Sequence, residues 1–243
     1  MTRIALSILL PAYEEADNLD RLLPQIDRVL NSSGIAHEVL VIDAPAHRDD
    51  TQDVCLRHSV RYIQRTGGEL YGDAIRTGIA AAGGERFIIM DADGSHNPEF
   101  LPQLWFRRDD ADLVIASRYV IGGRTDNPRL LILLSLAVNL VFRIVLCLKC
   151  ADVSNSFRLY RAEQVRGLVL ECDNFDIVEE LLVKLSYSKP DFTILEIPFT
   201  FEKRQAGKTK RKLVAFAFSY IATLRRLHTM KRRVRAAMLG GQK

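Results

Sequence analysis

The chain has 243 residues, 48% hydrophobic and 26% charged, with four scattered cysteines. That composition has room for a well-buried domain and excludes a disordered or disulfide-stapled chain. A net charge of +4 hides an asymmetry: from Lys203 to Lys243 there are thirteen Lys/Arg and no Asp/Glu, leaving 21 basic against 30 acidic residues before them. A basic tail on an acidic body implies a polyanionic partner: anionic lipid, nucleic acid or a phosphate-bearing substrate.

Ile4 to Leu10 is apolar and closed by Pro11, which predicts a buried strand; with this segment so near the start, no signal peptide is expected. Apolar residues at Leu19, Leu22, Leu23, Ile26, Val29 and Leu30 predict a helix from Glu15 to Leu30. Glu38 to Asp43 reads as a second strand ending in a carboxylate, Thr51 to His58 as a short helix, and Val60 to Ile63 as a third strand. A helix from Tyr71 to Ala82 stops at Gly83-Gly84, and a fourth strand runs from Phe87 to Met90. A helix over Pro98 to Phe106 and a fifth strand over Asp112 to Ala116 follow. Alternating strands and helices predict an α/β domain with a mostly parallel sheet.

The fourth strand runs into Asp91-Ala92-Asp93-Gly94-Ser95-His96. Ligands of open α/β sheets bind outside the carboxyl ends of strands, which is where Asp91 and Asp93 fall. Two nearby carboxylates repel unless a cation joins them. Hard oxygen ligands suit Mg²⁺ or Mn²⁺, and an ion held this way can clamp a diphosphate. Asp, Gly and Ser are also turn residues, so the motif alone leaves a plain turn open.

The second half changes character. Leu130 to Leu148 is almost wholly apolar, but Ser135, Asn139 and Arg143 fall at i, i+4 and i+8 and form one polar stripe. An arginine inside a membrane span costs about 2.5–3.5 kcal/mol. The expectation is therefore a helix lying flat at a membrane interface, its alternative a buried core helix. Cys147 and Cys150 end this run and read as buried thiols in a reduced compartment. Asn174 to Tyr187 predicts a helix and Thr193 to Pro198 a strand. Leu213, Phe216, Tyr220, Leu224 and Leu227 then predict a basic amphipathic helix, lying on a membrane surface or packed on the body.

Five segments in order resemble family 2 glycosyltransferases of GT-A fold, in particular the dolichol-phosphate mannosyltransferase branch. They are Leu10 to Leu19, Asp91 to His96, Ser117 to Gly123, Ser156 to Tyr160, and Arg204 to Lys210. The resemblance implies a catalytic domain over residues 1–209, including an interface helix at about 129–149, and a basic amphipathic helix over 210–243. It implies that Pro11, Tyr13 and Glu15 hold the base and ribose of a nucleotide-sugar donor, with Ile42 and Asp43 facing the nucleotide. Asp91 and Asp93 would form the metal and diphosphate site, with Ser95 a further metal contact. Arg118 would meet the acceptor phosphate together with Ser135 of the interface helix, and Arg204 and Lys210 would close on the phosphates. Asp93, Arg118 and Arg204 would be the catalytic set.

The implied reaction is metal-dependent, inverting transfer of a hexose, mannose from GDP-mannose, onto a polyprenyl phosphate by an enzyme peripheral to the cytoplasmic face of a membrane. An acceptor phosphate is already ionised at neutral pH, so no strong base is needed; an alcohol acceptor would need one, and Asp173 or Asp176 would be the candidate. UDP-glucose or another donor remains open, as does a non-catalytic lipid-binding relative. Few aromatics interleave the basic tail, which argues against nucleic acid. Two departures stand out. The second strand usually ends in Asp-Asp-Gly-Ser followed by Asp-Gly-Thr, but here reads Asp43-Ala44-Pro45-Ala46-His47-Arg48-Asp49-Asp50-Thr51. Leu131 stands where the family often has an arginine.

Overall fold

The computed structural model describes residues 4–202 and 213–240, with side chains of the last stretch described over 221–236. The strands are β1 (Leu6–Pro11), β2 (His37–Asp43), β3 (Arg61–Gln64), β4 (Arg86–Ile89), β5 (Leu113–Ser117), β6 (Arg124–Thr125), β7 (Arg158–Arg161), β8 (Ile194–Pro198) and β9 (Thr200–Phe201). The helices are α1 (Ala16–Ser32), α2 (Thr51–Arg57), α3 (Tyr71–Ala81), α4 (Leu101–Phe106), α5 (Arg129–Leu146), α6 (Ala162–Val165), α7 (Ile177–Ser186) and α8 (Leu213–Gly240).

A seven-stranded sheet has the order β3-β2-β1-β4-β7-β5-β8; β6 and β9 form a separate two-stranded sheet. Neighbours in the large sheet are parallel except β7, which runs antiparallel between β4 and β5. Alternation along the buried strands feeds two cores. Ile8, Leu10, Val41 and Ile88 pack under α1 and α4; Leu9, Leu40, Ile42 and Ile89 pack with α3, α5, α7 and α8. Chain order reverses at β1, which has β2 on one side and β4 on the other. The carboxyl ends of these three strands therefore meet in the crevice where such sheets bind ligands.

Helix α5 lies along the body with an apolar outer face. Leu130, Leu133 and Ile144 are each 64–67% exposed, while Asn139, Phe142 and Leu146 are buried against the protein. By length and composition it could cross a membrane, with a mean hydropathy of 2.2, yet its polar stripe is held by the body through Ser135 and Asn139. Arg143, the third member of the stripe, is exposed.

The basic amphipathic helix, α8, is packed on the body. Leu227 and Met230 enter the core, and Lys231 donates to the Val145 carbonyl of α5, while Arg225, Arg232 and Arg233 stay exposed. The cysteine reading needs one correction. Cys150 is buried, its thiol pushed up to about 12 by desolvation, but Cys147 is exposed. The helix ends there with Cys147 in the left-handed conformation at φ 52°, which turns the side chain out of the apolar run.

Candidate active site

Four loops converge at the carboxyl ends of β1, β2, β4 and β5. The first, residues 11–15, is joined to β2 by the Ala12 N–H donating to the Ile42 carbonyl at 2.9 Å. Arg65, 6% exposed, sits beneath it as a strut. Its guanidinium donates to the carbonyls of Ala12, Asp43 at 3.0 Å, Glu69 at 3.0 Å and Leu70 at 3.2 Å. One buried cation thus fixes the loops after β1 and β2 and the start of α3. At the mouth, the Arg48 guanidinium lies 4.9 Å from the Tyr13 ring centre and bonds Glu69 at 2.7 Å. Glu15 is buried and accepts from Asn18.

The unusual loop after β2 is tied back by Asp49, whose carboxylate accepts from the Ala16 N–H at 2.9 Å and the Thr51 N–H at 3.1 Å. It thereby serves the first turns of both α1 and α2. His47 stacks near-parallel on Tyr62 at 6.4 Å, as a loop residue would. Asp43 is 2% exposed. Burial pushes its carboxyl up, against the Ala44 N–H and the Tyr62 hydroxyl. Oδ2 accepts from Tyr62 at 3.2 Å, while Oδ1 is shielded from solvent and has no partner among the described residues. A buried carboxylate oxygen with unmet capacity is an acceptor suited to a ligand N–H.

The acidic loop after β4 turns through Gly94 at φ 78°, a conformation glycine adopts without penalty. Asp91 accepts from the Ser156 hydroxyl at 3.0 Å, and its N–H donates to His96 Nδ1 at 3.0 Å. That bond leaves the His96 proton on Nε2, facing Asn155 Oδ1 at 3.2 Å. His96 is fully buried, which lowers its pKa and keeps it neutral. Asp93 accepts from the Ser95 N–H at 3.0 Å and hydroxyl at 2.6 Å. Ser95 is 1% exposed, so in this structure its hydroxyl orients the Asp93 carboxylate.

Among the described residues no group of three or more His, Cys, Asp or Glu could hold an ion alone. Two partly exposed carboxylates with hard oxygens nonetheless fit a Mg²⁺ or Mn²⁺ whose remaining ligands come from water and a substrate's phosphates. The donor chemistry of Asp91 and Asp93 thus suits the ion, and needs a phosphate ligand to complete it.

Arg118, at the end of β5, is held by Asp152. Its Nε and Nη2 donate to the two carboxylate oxygens at 2.8 and 2.7 Å, and its backbone N–H donates at 2.9 Å. Asp152 is fully buried and the Arg118 side chain 11% exposed. Nη2 also donates to the Ser154 hydroxyl at 2.9 Å, and the guanidinium packs 5.0 Å from the Tyr119 ring centre. The Tyr119 hydroxyl donates to Ser135 Oγ at 2.7 Å, which joins this arginine's neighbourhood to α5. Glu202 donates its N–H to the Ser95 carbonyl and accepts from Asn97, so the end of β9 docks on the acidic loop. Arg204 and Lys210 lie outside the described residues.

The crevice thus gathers Pro11, Tyr13, Glu15, Ile42, Asp43, Asp91 and Asp93 at adjoining strand ends, with Arg118 and Ser135 joined through Tyr119 on the side of α5. Arg65, Asp152, Asn155 and the link from Ser156 to Asp91 escape sequence reasoning. Arg65 alone had a usable signal, its place at the carboxyl end of a parallel strand. Asp173 and Asp176 are engaged elsewhere: Asp173 pairs with Arg76 at 3.0 Å, and Asp176 accepts from Thr223 at 3.1 Å with Arg226 at 3.7 Å.

Residues 7–168 match the profile of the family described as Glycosyl transferase family 2. The chain belongs to that family. It is 34% identical over 229 residues to the dolichol-phosphate mannosyltransferase of Pyrococcus furiosus, covering 91% of this chain and 63% of that protein. It is 32% identical over 213 residues to the undecaprenyl-phosphate mannosyltransferase of Micrococcus luteus, covering 83% of this chain and 85% of that protein. The chain thus spans under two thirds of the Pyrococcus relative. Its fold matches glucosyl-3-phosphoglycerate synthase from Mycobacterium tuberculosis, crystallised with Mn²⁺, UDP and glucosyl-3-phosphoglycerate. The TM-score is 0.71 at 19% identity, covering 93% of this chain and 80% of that one. The architecture is therefore GT-A.

Proposed function

We propose that the protein transfers a hexose, mannose from GDP-mannose, onto a polyprenyl phosphate at a membrane surface, with inversion and with Mg²⁺ or Mn²⁺. The observation that carries the proposal is the adjacency of two chemistries. Ser156, Asn155 and Asp152 follow one another in a single loop, linking the acidic tip of β4 to Arg118. Arg118 in turn neighbours a helix whose outer face is exposed leucine and isoleucine. The names of the Pyrococcus and Micrococcus relatives support a polyprenyl-phosphate acceptor.

In this reading the loops after β1 and β2 hold the nucleoside, and Asp43 Oδ1 accepts from a base N–H. Asp91 and Asp93 hold the divalent ion, which when bound neutralises charge on the donor diphosphate. Arg118, its plane fixed by Asp152, orients the acceptor phosphate, which is ionised at neutral pH and attacks without a general base. The pairing of Asp173 and Asp176 with arginines agrees with this, because an alcohol acceptor would need one of them as a base. The exposed face of α5, about 27 Å long from 18 residues, and the exposed arginines of α8 suit an apolar surface flanked by anionic headgroups.

The test is release of nucleoside diphosphate and formation of glycosylated lipid from GDP-mannose and a short polyprenyl phosphate in detergent. Wild type should turn over with Mg²⁺ or Mn²⁺, and Asp91→Ala and Asp93→Ala should lose the product. Full activity in either variant, or turnover with UDP-glucose alone, overturns the corresponding part of the reading.

A further inference from the structure

Asn139 is the most deeply buried polar residue of α5, 2% exposed on a helix whose outer face is open. A helix that needed only packing there would carry an aliphatic side chain, since a buried amide is tolerated only when its partners are in place. Asn139 has them. Its Nδ2 donates to the Ser135 carbonyl at 2.8 Å and lies 3.4 Å from both Ser135 Oγ and Ser154 Oγ; its Oδ1 accepts from the Val153 N–H at 2.6 Å.

Val153 and Ser154 belong to the loop that carries Asp152, and Ser154 Oγ is also an acceptor for Arg118. The same loop continues through Asn155, which bonds the Ala116 carbonyl of β5 and faces His96, to Ser156, which bonds Asp91. Arg158, fully buried at the start of β7, holds the loop from within by donating to the carbonyls of Asp152 and Val153. One short connection therefore touches the apolar helix, the arginine and the acidic tip in sequence, and Asn139 is where it is joined to the helix.

We infer that Asn139 is a positioning residue: it sets the seat of α5 against the Asp152–Ser156 loop and so fixes where a lipid phosphate lying along α5 meets Arg118. The inference rests on the polyprenyl-phosphate reading above. It predicts an effect concentrated on the acceptor side: Asn139 meets the loop at Val153 and Ser154, beside the contacts to Arg118, whereas Asp91 is met further along by Ser156, and the nucleoside loops and Asp93 are anchored by Arg65, Asp49 and Ser95.

The experiment compares wild type, Asn139→Ala and Ser154→Ala in two assays. One is steady-state transfer to a short polyprenyl phosphate; the other is calorimetric binding of GDP with Mn²⁺. Asn139→Ala should lower kcat/KM for the lipid at least tenfold while GDP affinity stays within twofold of wild type. Ser154→Ala, which removes only the hydroxyl shared with Arg118, should move the same way by a smaller factor. Lipid transfer within twofold of wild type in Asn139→Ala overturns the inference, as does an equal loss of lipid transfer and GDP affinity. If Asn139→Ala does not fold, Ser154→Ala decides, and its transfer at the wild-type rate overturns the inference. A wild type that binds GDP with Mn²⁺ yet transfers nothing to the lipid refutes the acceptor reading itself and this inference with it.

Discussion

Replacing Asp152 by asparagine keeps the shape of the side chain and removes its charge. Asp152 is fully buried and accepts from the Arg118 N–H, Nε and Nη2 and, at 3.2 Å, from the Asn155 N–H. In the variant one oxygen becomes an NH₂ group, which cannot accept from a guanidinium, and a cation only 11% exposed loses its counter-charge. Neutralising one partner of a buried pair costs about 3–5 kcal/mol. Because the arginine keeps some contact with water, the lower end applies, about 3 kcal/mol. That is a large share of the roughly 5–15 kcal/mol that holds a domain together. Urea unfolding should show a lower midpoint with an unchanged slope. The pair Arg118→Met with Asp152→Leu should recover most of the lost stability, because an apolar pair of similar volume replaces a buried ion pair well. It should still fail in lipid transfer. A midpoint for Asp152→Asn within about 0.5 kcal/mol of wild type, or simple additivity in the double variant, would refute the pairing argument.

Two further outcomes follow from the same geometry. Burial alone would raise the Asp112 carboxyl, but hydrogen bonds from Lys189, Thr193 and Gln164 bring it down to about 2. A lowered folded-state pKa contributes stability that is present above about pH 4 and lost as pH falls toward 2. Asp112→Asn should therefore cost about 2 kcal/mol at pH 7 and flatten the acid limb between pH 4 and 2; an acid limb parallel to wild type contradicts this. Leu133→Glu with Ile144→Glu, each on the open face of α5, should leave circular dichroism and melting unchanged but release the protein from anionic liposomes. Retained liposome binding would remove α5 from the membrane account.

Much of the scaffold was legible because parallel strands buried on both faces are short apolar runs, and β1, β2, β4 and β5 are such runs. The strand β7 was not, because Arg158 and Arg161 bracket only Leu159 and Tyr160. Its hydrophobic match comes from neighbours distant in sequence, and its arginine is accommodated by main-chain carbonyls rather than by a local partner. The two-residue strands β6 and β9 are too short for any period to register. In the site, residues at strand ends were readable by position, and the i, i+4 spacing of Ser135 and Asn139 correctly grouped them on one face. Asp152 and Asn155 were not readable, since their partners Arg118, Ala116 and His96 lie 34–59 residues away and leave no spacing signal. Cys147 shows the limit of reading burial from an apolar run: the helix ends one residue earlier, and the backbone turns left-handed at Cys147 itself.

The proposed transfer depends most on a divalent ion joining Asp91 and Asp93 to a donor diphosphate. Calorimetric titration of GDP, with Mn²⁺ and again with EDTA, into wild type and an Asp91→Asn/Asp93→Asn variant measures that directly. Mn²⁺ should tighten GDP binding to wild type at least tenfold and leave the double variant at the weak affinity of wild type in EDTA. GDP affinity indifferent to Mn²⁺ in wild type, or equally strengthened by Mn²⁺ in the double variant, would contradict it.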